Sequence, residues 1–160
     1  MRSDPVAAAA DPAAPGFHER DLELLWYRLA TRRWRALALV APGQPELASR
    51  LLQRLLGALG GPARTVRGVD AAGASPGRIA ALCRAVERAS AQPARERVLV
   101  AAPDPAALPE ARELFLACDA TLLVLLRGES RLDEVERTLA LVDRGRVLGA
   151  VLANHRQQAT

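Results

Sequence analysis

The sequence contains no lysine: all 22 of its basic residues are arginine. That absence excludes Schiff-base chemistry, attachment of a cofactor through lysine, and the phosphate-reaching lysine of a P-loop. Aromatic residues make up only 3% of the chain, so its core must be assembled from alanine, leucine and valine. The two cysteines, Cys83 and Cys118, stand in apolar helix-like segments without C-x-x-C or metal spacing, and read as buried free thiols of a reducing compartment. His18 and His155 have no serine or cysteine partner at a recognisable elbow, and no cluster of His, Cys and acids has ligand spacing. Neither nucleophilic hydrolysis nor a metal centre is expected. No run approaches the ~18 apolar residues of a membrane span, and the N-terminus lacks a signal-peptide core, so a soluble, cytoplasmic protein is expected.

What is present suits one domain: 160 residues, half hydrophobic and a quarter charged. The net charge is +4, but the arginines mostly alternate with acids, which reads as a solvated surface. The densest basic group, Arg32, Arg33 and Arg35 around Trp34, is not a basic stripe with interleaved aromatics, so nucleic acid is not an expected partner. Residues 1–16, rich in Ala, Pro and Asp, read as a disordered lead, 17–155 as a single domain, and 156–160 as a short polar tail.

The apolar pattern then alternates between two kinds of segment. Glu19 to Arg33 has Leu22, Leu25, Trp26 and Leu29 at helical spacing. Ala36 to Ala41 is a continuous apolar run ending at Pro42 and Gly43, followed by a leucine-rich helix from Pro45 to Leu59, closed by Gly60 and Gly61. Thr65 to Val69 is a shorter strand; Ser75 and Pro76 open a helix running through Ala91. Arg97 to Ala102 is a third strand, Pro109 to Cys118 a helix, and Thr121 to Leu126 a fourth strand with the composition of a central one. Ser130 is placed to cap a helix carrying Leu132, Val135, Leu139 and Val142, and Arg146 to Leu152 closes the domain as a fifth strand. Strands alternating with helices predict an α/β fold: a three-layer, mostly parallel five-stranded sheet with helices on both faces, as in P-loop NTPases. Ligands in such folds sit where strands pass into helices at the strands' carboxyl ends.

The first such loop, Ala41-Pro42-Gly43-Gln44-Pro45-Glu46-Leu47-Ala48-Ser49-Arg50, stands where a P-loop belongs. In register with G-x-x-x-x-G-K-[ST], Gly43 takes the first glycine, but Ala48, Ser49 and Arg50 take the second glycine, the lysine and the hydroxyl residue. Of the positions that wrap, reach and neutralise phosphate, only the first is kept. Near the end of the third strand, Ala101 stands in the place of a magnesium-organising acid, with Asp104 three residues beyond it. Asp70, ending the second strand, stands at a catalytic position but also reads as a turn residue.

The order of these pieces resembles the cytoplasmic ATPase domain of bacterial tyrosine kinases (BY-kinases), the capsule and exopolysaccharide members of the MinD/ParA class of P-loop proteins. Pro45 matches the proline of the family's first loop. Val69-Asp70-Ala71-Ala72 stands against its V-D-A-D motif, and Ala101-Ala102-Pro103-Asp104 against its D-T-P-P. The stretch from Pro109 through Cys118-Asp119 to Arg127, and the strand Arg146 to Leu152 followed by Asn154, resemble the family's last third. The resemblance spans Leu24 to Asn154. It implies a degenerate site in which Gly43, Pro45, Ser49, Arg50 and Asp70 are the residual nucleotide-contacting positions. With Tyr27 the only tyrosine, the tyrosine cluster on which such kinases autophosphorylate is missing.

The expectation is therefore a non-enzymatic pseudo-kinase with no cofactor: an accessory or regulator of bacterial exopolysaccharide biosynthesis or export, acting by protein–protein binding. The resemblance implies as partner a membrane-embedded polysaccharide co-polymerase, export or synthase component, or a catalytically active homologue, with recruitment to the inner membrane and homo-oligomer formation. Leu22, Trp26, Tyr27, Arg32, Arg33 and Trp34, on and after the first helix, are the interface candidates. Two alternatives stand beside this reading: a MinD-like regulator of cellulose secretion or flagellar placement, and a weak residual nucleotide-binding ATPase.

Overall fold

The computed structural model describes residues 16–58, 66–91 and 96–155. The order of elements is α1 (Glu19–Ala30), β1 (Ala36–Val40), α2 (Pro45–Ala58), β2 (Val66–Asp70), α3 (Pro76–Ala91), β3 (Arg97–Ala101), α4 (Ala111–Ala117), β4 (Ala120–Leu126), α5 (Leu132–Leu141) and β5 (Val147–Ala153), with a 3-10 turn at Arg144–Arg146. The strands form one sheet in the order β2-β3-β1-β4-β5, and every neighbouring pair is parallel. Residues 1–15 of the expected lead, the end of the second helix at Leu59 with Gly60 and Gly61, the strand start at Thr65 and the tail 156–160 lie outside the described residues, whereas Gly16, the last residue of that expected lead, is bridged to Asn154.

Alternation along the central strands explains why they read as unbroken apolar runs. Leu37 and Leu39 of β1 enter the core under α1 and α2, while Ala36, Ala38 and Val40 enter the core under α3, α4 and α5. Leu99 against Val98 and Val100 in β3 repeats the division. In β1 and β3 the leucines thus lie on the first face, where α2 packs, and the valines on the second. Leu51, Leu52 and Leu55 of α2 are 0–1% exposed, each contributing about 2 kcal/mol of apolar burial. The edge strands differ: β2 is exposed at Arg67, Gly68 and Asp70, and β5 at Gly149, Ala150 and Leu152. Among the described residues, no helix is long and apolar enough to cross a membrane.

Three boundaries depart from the sequence pattern for identifiable reasons. The first helix stops at Ala30, short of Arg33. Its last carbonyls are taken from outside the helical ladder: Trp34 Nε1 donates to Leu29 O at 2.8 Å, and the Arg97 guanidinium donates to Ala30 O at 3.1 Å and Arg32 O at 3.4 Å. The same guanidinium lies 4.7 Å above the Trp34 ring, a cation–π contact that ties α1 to β3. Helix α4 begins at Ala111, because Pro109 lies in a turn whose carbonyl accepts from Arg112. Ser130 does not cap α5. Its hydroxyl accepts from Leu126 N at 2.8 Å, closing the turn after β4, and Arg131 is the N-cap, with no side-chain cap bond.

The central strand is pinned at its start by Asp119. Its carboxylate accepts from Arg35 N at 2.9 Å and from Ala36 N at 3.0 Å, which sets β1 against β4. At the other end of the sheet, β1 runs into α2 on one face while β3 and β4 run into helices on the opposite face. The loop after β1 therefore lies at the switch point, where the connections diverge and a crevice opens.

Candidate functional site

The loop after β1 turns at Gly43, whose φ of +69° is open chiefly to glycine. Its N–H donates to Asp104 Oδ2 at 3.2 Å. Asp104 is 7% exposed, and its other oxygen accepts from Ala106 N at 2.9 Å and from the Thr138 hydroxyl at 2.8 Å. One carboxylate thus joins the first loop, the loop after β3, and α5. Thr138 is fully buried and projects from α5 into this junction. A second acid closes over the loop: a Cβ built on Gly43 would meet Glu134 Oε2 at 2.5 Å. Beside it, Gln44 Nε2 donates to Glu129 Oε2 at 3.2 Å, and the other Glu129 oxygen is 2.8 Å from His155 Nε2.

The place where a phosphate would rest is therefore lined by carboxylates. At an effective dielectric of 20, each carboxylate about 5 Å from a phosphate would oppose it by roughly 3 kcal/mol. No lysine is present to offset this. Gly43 is favoured by the left-handed turn, so a glycine at this position has a structural explanation without a nucleotide.

The other candidate positions divide into two groups. Pro45 opens α2, and the Ser49 hydroxyl donates to Asp70 Oδ1 at 2.9 Å. The same Asp70 oxygen accepts from Ala72 N at 3.2 Å, the Asx-turn role its sequence context suggested. Pro45, Ser49 and Asp70 border an open cavity of about 430 Å³ together with Glu46, Gly73 and Arg78. Gly43 does not line that cavity, and Arg50 is exposed farther along α2. The five residues therefore do not converge on one site.

Among the interface candidates, Leu22 and Trp34 are corrected. They are 1% and 4% exposed because the chain's own sheet and α2 cover them, so neither offers surface to a partner. Trp26 is half-buried and meets Trp34 edge-on at 6.3 Å between ring centres. Tyr27, Arg32 and Arg33 face solvent. Both cysteines are buried free thiols. Burial pushes the Cys118 thiol up to about 12, with Asp119 adding to the effect, and burial also raises Cys83. Among the described residues, no group of three or more His, Cys, Asp and Glu could hold a metal ion.

Asp104, Thr138 and Glu134 are the residues that sequence reasoning did not join. One signal was available: Thr138 interrupts the apolar stripe of α5, and a hydroxyl on a buried face needs a partner. No family model and no curated protein sequence matches the chain.

Proposed function

We propose that this chain is a non-catalytic α/β domain that acts by binding other proteins. The observation that carries this reading is the Asp104–Gly43 hydrogen bond: an acid of the chain itself holds the first-loop amide that a nucleotide phosphate would need. Glu134 against Gly43, Glu129 against Gln44, and the Ser49 hydroxyl turned to Asp70 support it. Phosphoryl transfer depends on positioning and charge neutralisation, and the groups nearest the loop carry the wrong charge for both. Calorimetric titration with ATP and magnesium tests the reading; the expected result is no binding through the millimolar range, and micromolar binding would overturn it.

The resemblance to BY-kinase domains supports a role in bacterial exopolysaccharide biosynthesis or export, at the cytoplasmic face of a membrane-embedded polysaccharide component or beside an active homologue. The contact surface we assign to that role is the solvent face of α1 and the turn after it, where Tyr27 is 71% exposed and Arg32 and Arg33 follow. Charge reversal at both arginines together with Tyr27→Ala should abolish co-purification of the partner while leaving the fold intact. Co-purification at wild-type levels would refute this assignment.

A further inference from the structure

Helix α1 is polarised along its length. Glu19, Asp21 and Glu23 stand in its first half, with Arg20 among them, whereas Arg28 in the last turn and Arg32 and Arg33 beyond it make an end of one sign. These three arginines are all exposed. Cations at a helix C-terminus ordinarily have a structural use, because they bond the last carbonyls and oppose the dipole. Here that use is already taken. Leu29 O accepts from the Trp34 indole at 2.8 Å, while Ala30 O and Arg32 O accept from Arg97 at 3.1 and 3.4 Å. The cation that closes α1 therefore comes from β3. Arg35, the next arginine along the chain, donates to Ser90 O at 2.9 Å and serves the end of α3 instead. Among the described residues, Arg28, Arg32 and Arg33 form no ion pair. Beside them, Leu24 is 55% and Tyr27 71% exposed, and Leu24 shares a helix face with both Tyr27 and Arg28.

Resting on the reading of the chain as a protein-binding domain, we infer that the end of α1 takes an acidic peptide segment of a partner protein. Its carboxylates would lie on Arg28, Arg32 and Arg33, and an apolar side chain against Leu24 and Tyr27. Arginine suits this ligand because its planar fork bonds a carboxylate through two parallel N–H groups. Two observations favour a peptide over an anionic membrane surface. A membrane presents its anions along the whole helix, so Glu19, Asp21 and Glu23 would meet them too. A short segment can be confined to the basic end. The indoles with which a helix enters a lipid interface are also turned away from solvent: Trp34 is 4% exposed, and Trp26 is half-buried edge-on to it. What remains outside is one leucine and one tyrosine, enough to seat a side chain and too little to hold the helix in a bilayer.

Fluorescence anisotropy of the full chain with a short labelled peptide of glutamate and aspartate around one leucine tests it. The reference is the analogue in which glutamine and asparagine replace the acids. At about 0.1 M salt, where distant charges are screened, the acidic peptide should bind saturably and at least about tenfold more tightly than the neutral one, the product of three individually weak ion pairs. Arg32→Glu with Arg33→Glu should weaken it by about tenfold or more. Arg78→Glu with Arg84→Glu makes the same change of net charge on α3, across the sheet, and should alter it by less than about twofold. All four residues are exposed, so both variants should keep wild-type circular dichroism. Absent binding, equal affinity for the neutral analogue, or equal loss in the α3 variant overturns the inference. Binding to phosphatidylserine vesicles that depends on Arg32 and Arg33 and that the acidic peptide cannot displace also overturns it. The binding-domain reading fails separately, through micromolar ATP affinity; a partner held through α1 while the acidic peptide is ignored removes only the acidic assignment.

Discussion

Replacing Asp104 should have a graded effect that separates its three bonds. Asp104→Ala leaves the fully buried Thr138 hydroxyl and the N–H groups of Gly43 and Ala106 without their acceptor. A hydrogen bond to a charged group is worth about 1.5–3 kcal/mol, and a buried orphan costs about 1–3 kcal/mol, so with non-additivity the expected loss is about 4 kcal/mol. Against a total stability of about 5–15 kcal/mol that is a large fraction. With a urea m-value of about 2 kcal/mol/M, the midpoint should fall by roughly 2 M. Asp104→Asn keeps an oxygen for Ala106 and Thr138 but turns an amide NH₂ toward the Gly43 N–H, donor against donor. Its loss should be smaller, about 1–2 kcal/mol, and confined to the first loop. Thr138→Val removes the hydroxyl that Asp104→Ala would otherwise strand, so the double variant should be more stable than the two single losses summed, by about 1 kcal/mol. Asp104→Ala within about 0.5 kcal/mol of wild type, or a cycle with no coupling, would refute the junction as described.

The remaining predictions concern other parts of the fold. Asp119→Ala removes the acceptor for Arg35 N and Ala36 N and should lower stability by about 2 kcal/mol in chemical denaturation; an unchanged midpoint would contradict its role as the pin of β1. The Cys118 thiol is raised from 9.0 to about 12 in the folded chain. Its contribution to stability is therefore complete below pH 9 and is lost as pH rises toward 12, at about 1.4 kcal/mol per pH unit. Cys118→Ala should flatten that alkaline decline in denaturation series at increasing pH, and an identical slope would refute it. Thiol-reactive reagents at neutral pH should label Cys118 only after unfolding, whereas rapid labelling of the native chain would show that the thiol is accessible.

Much of the fold was legible because each central strand is buried on both faces. Ala36–Val40 and Ala120–Leu126 announce themselves as short runs of aliphatic residues, and the glycines and prolines between elements mark the crossovers. The Ser75-Pro76 signal placed the start of α3 at the observed residue. The end of α1 was not legible, because it depends on Arg97, far along the chain, reaching carbonyls that a local pattern assigns to the helix. Trp34 misled for a related reason. Its neighbours Arg32, Arg33 and Arg35 are exposed, and only the tertiary arrangement shows that the indole between them turns into the core. At the first loop, the missing lysine was plain in the sequence. The acid that occupies the loop was not, because its meeting with Gly43 is made by β1 and β3 lying side by side.

The strand order also governs how the chain can come off the ribosome. The first strand synthesised is the central one, and its ladder partners are Val98–Ala101 and Ala120–Leu123. The second strand lies two places away and pairs only with β3. No pair of strands in the sheet can therefore form from the segment ending at Ala91, although it already carries α1, α2 and α3. Until β3 emerges, the apolar strand Ala36–Val40 has helices to shelter it but no ladder to join. Arrival of Arg97–Ala101 fills the gap between β1 and β2 in a single step. Assembly of this sheet is thus gated by one five-residue segment, a high-contact-order route that leaves the nascent chain dependent on its helices for much of its synthesis.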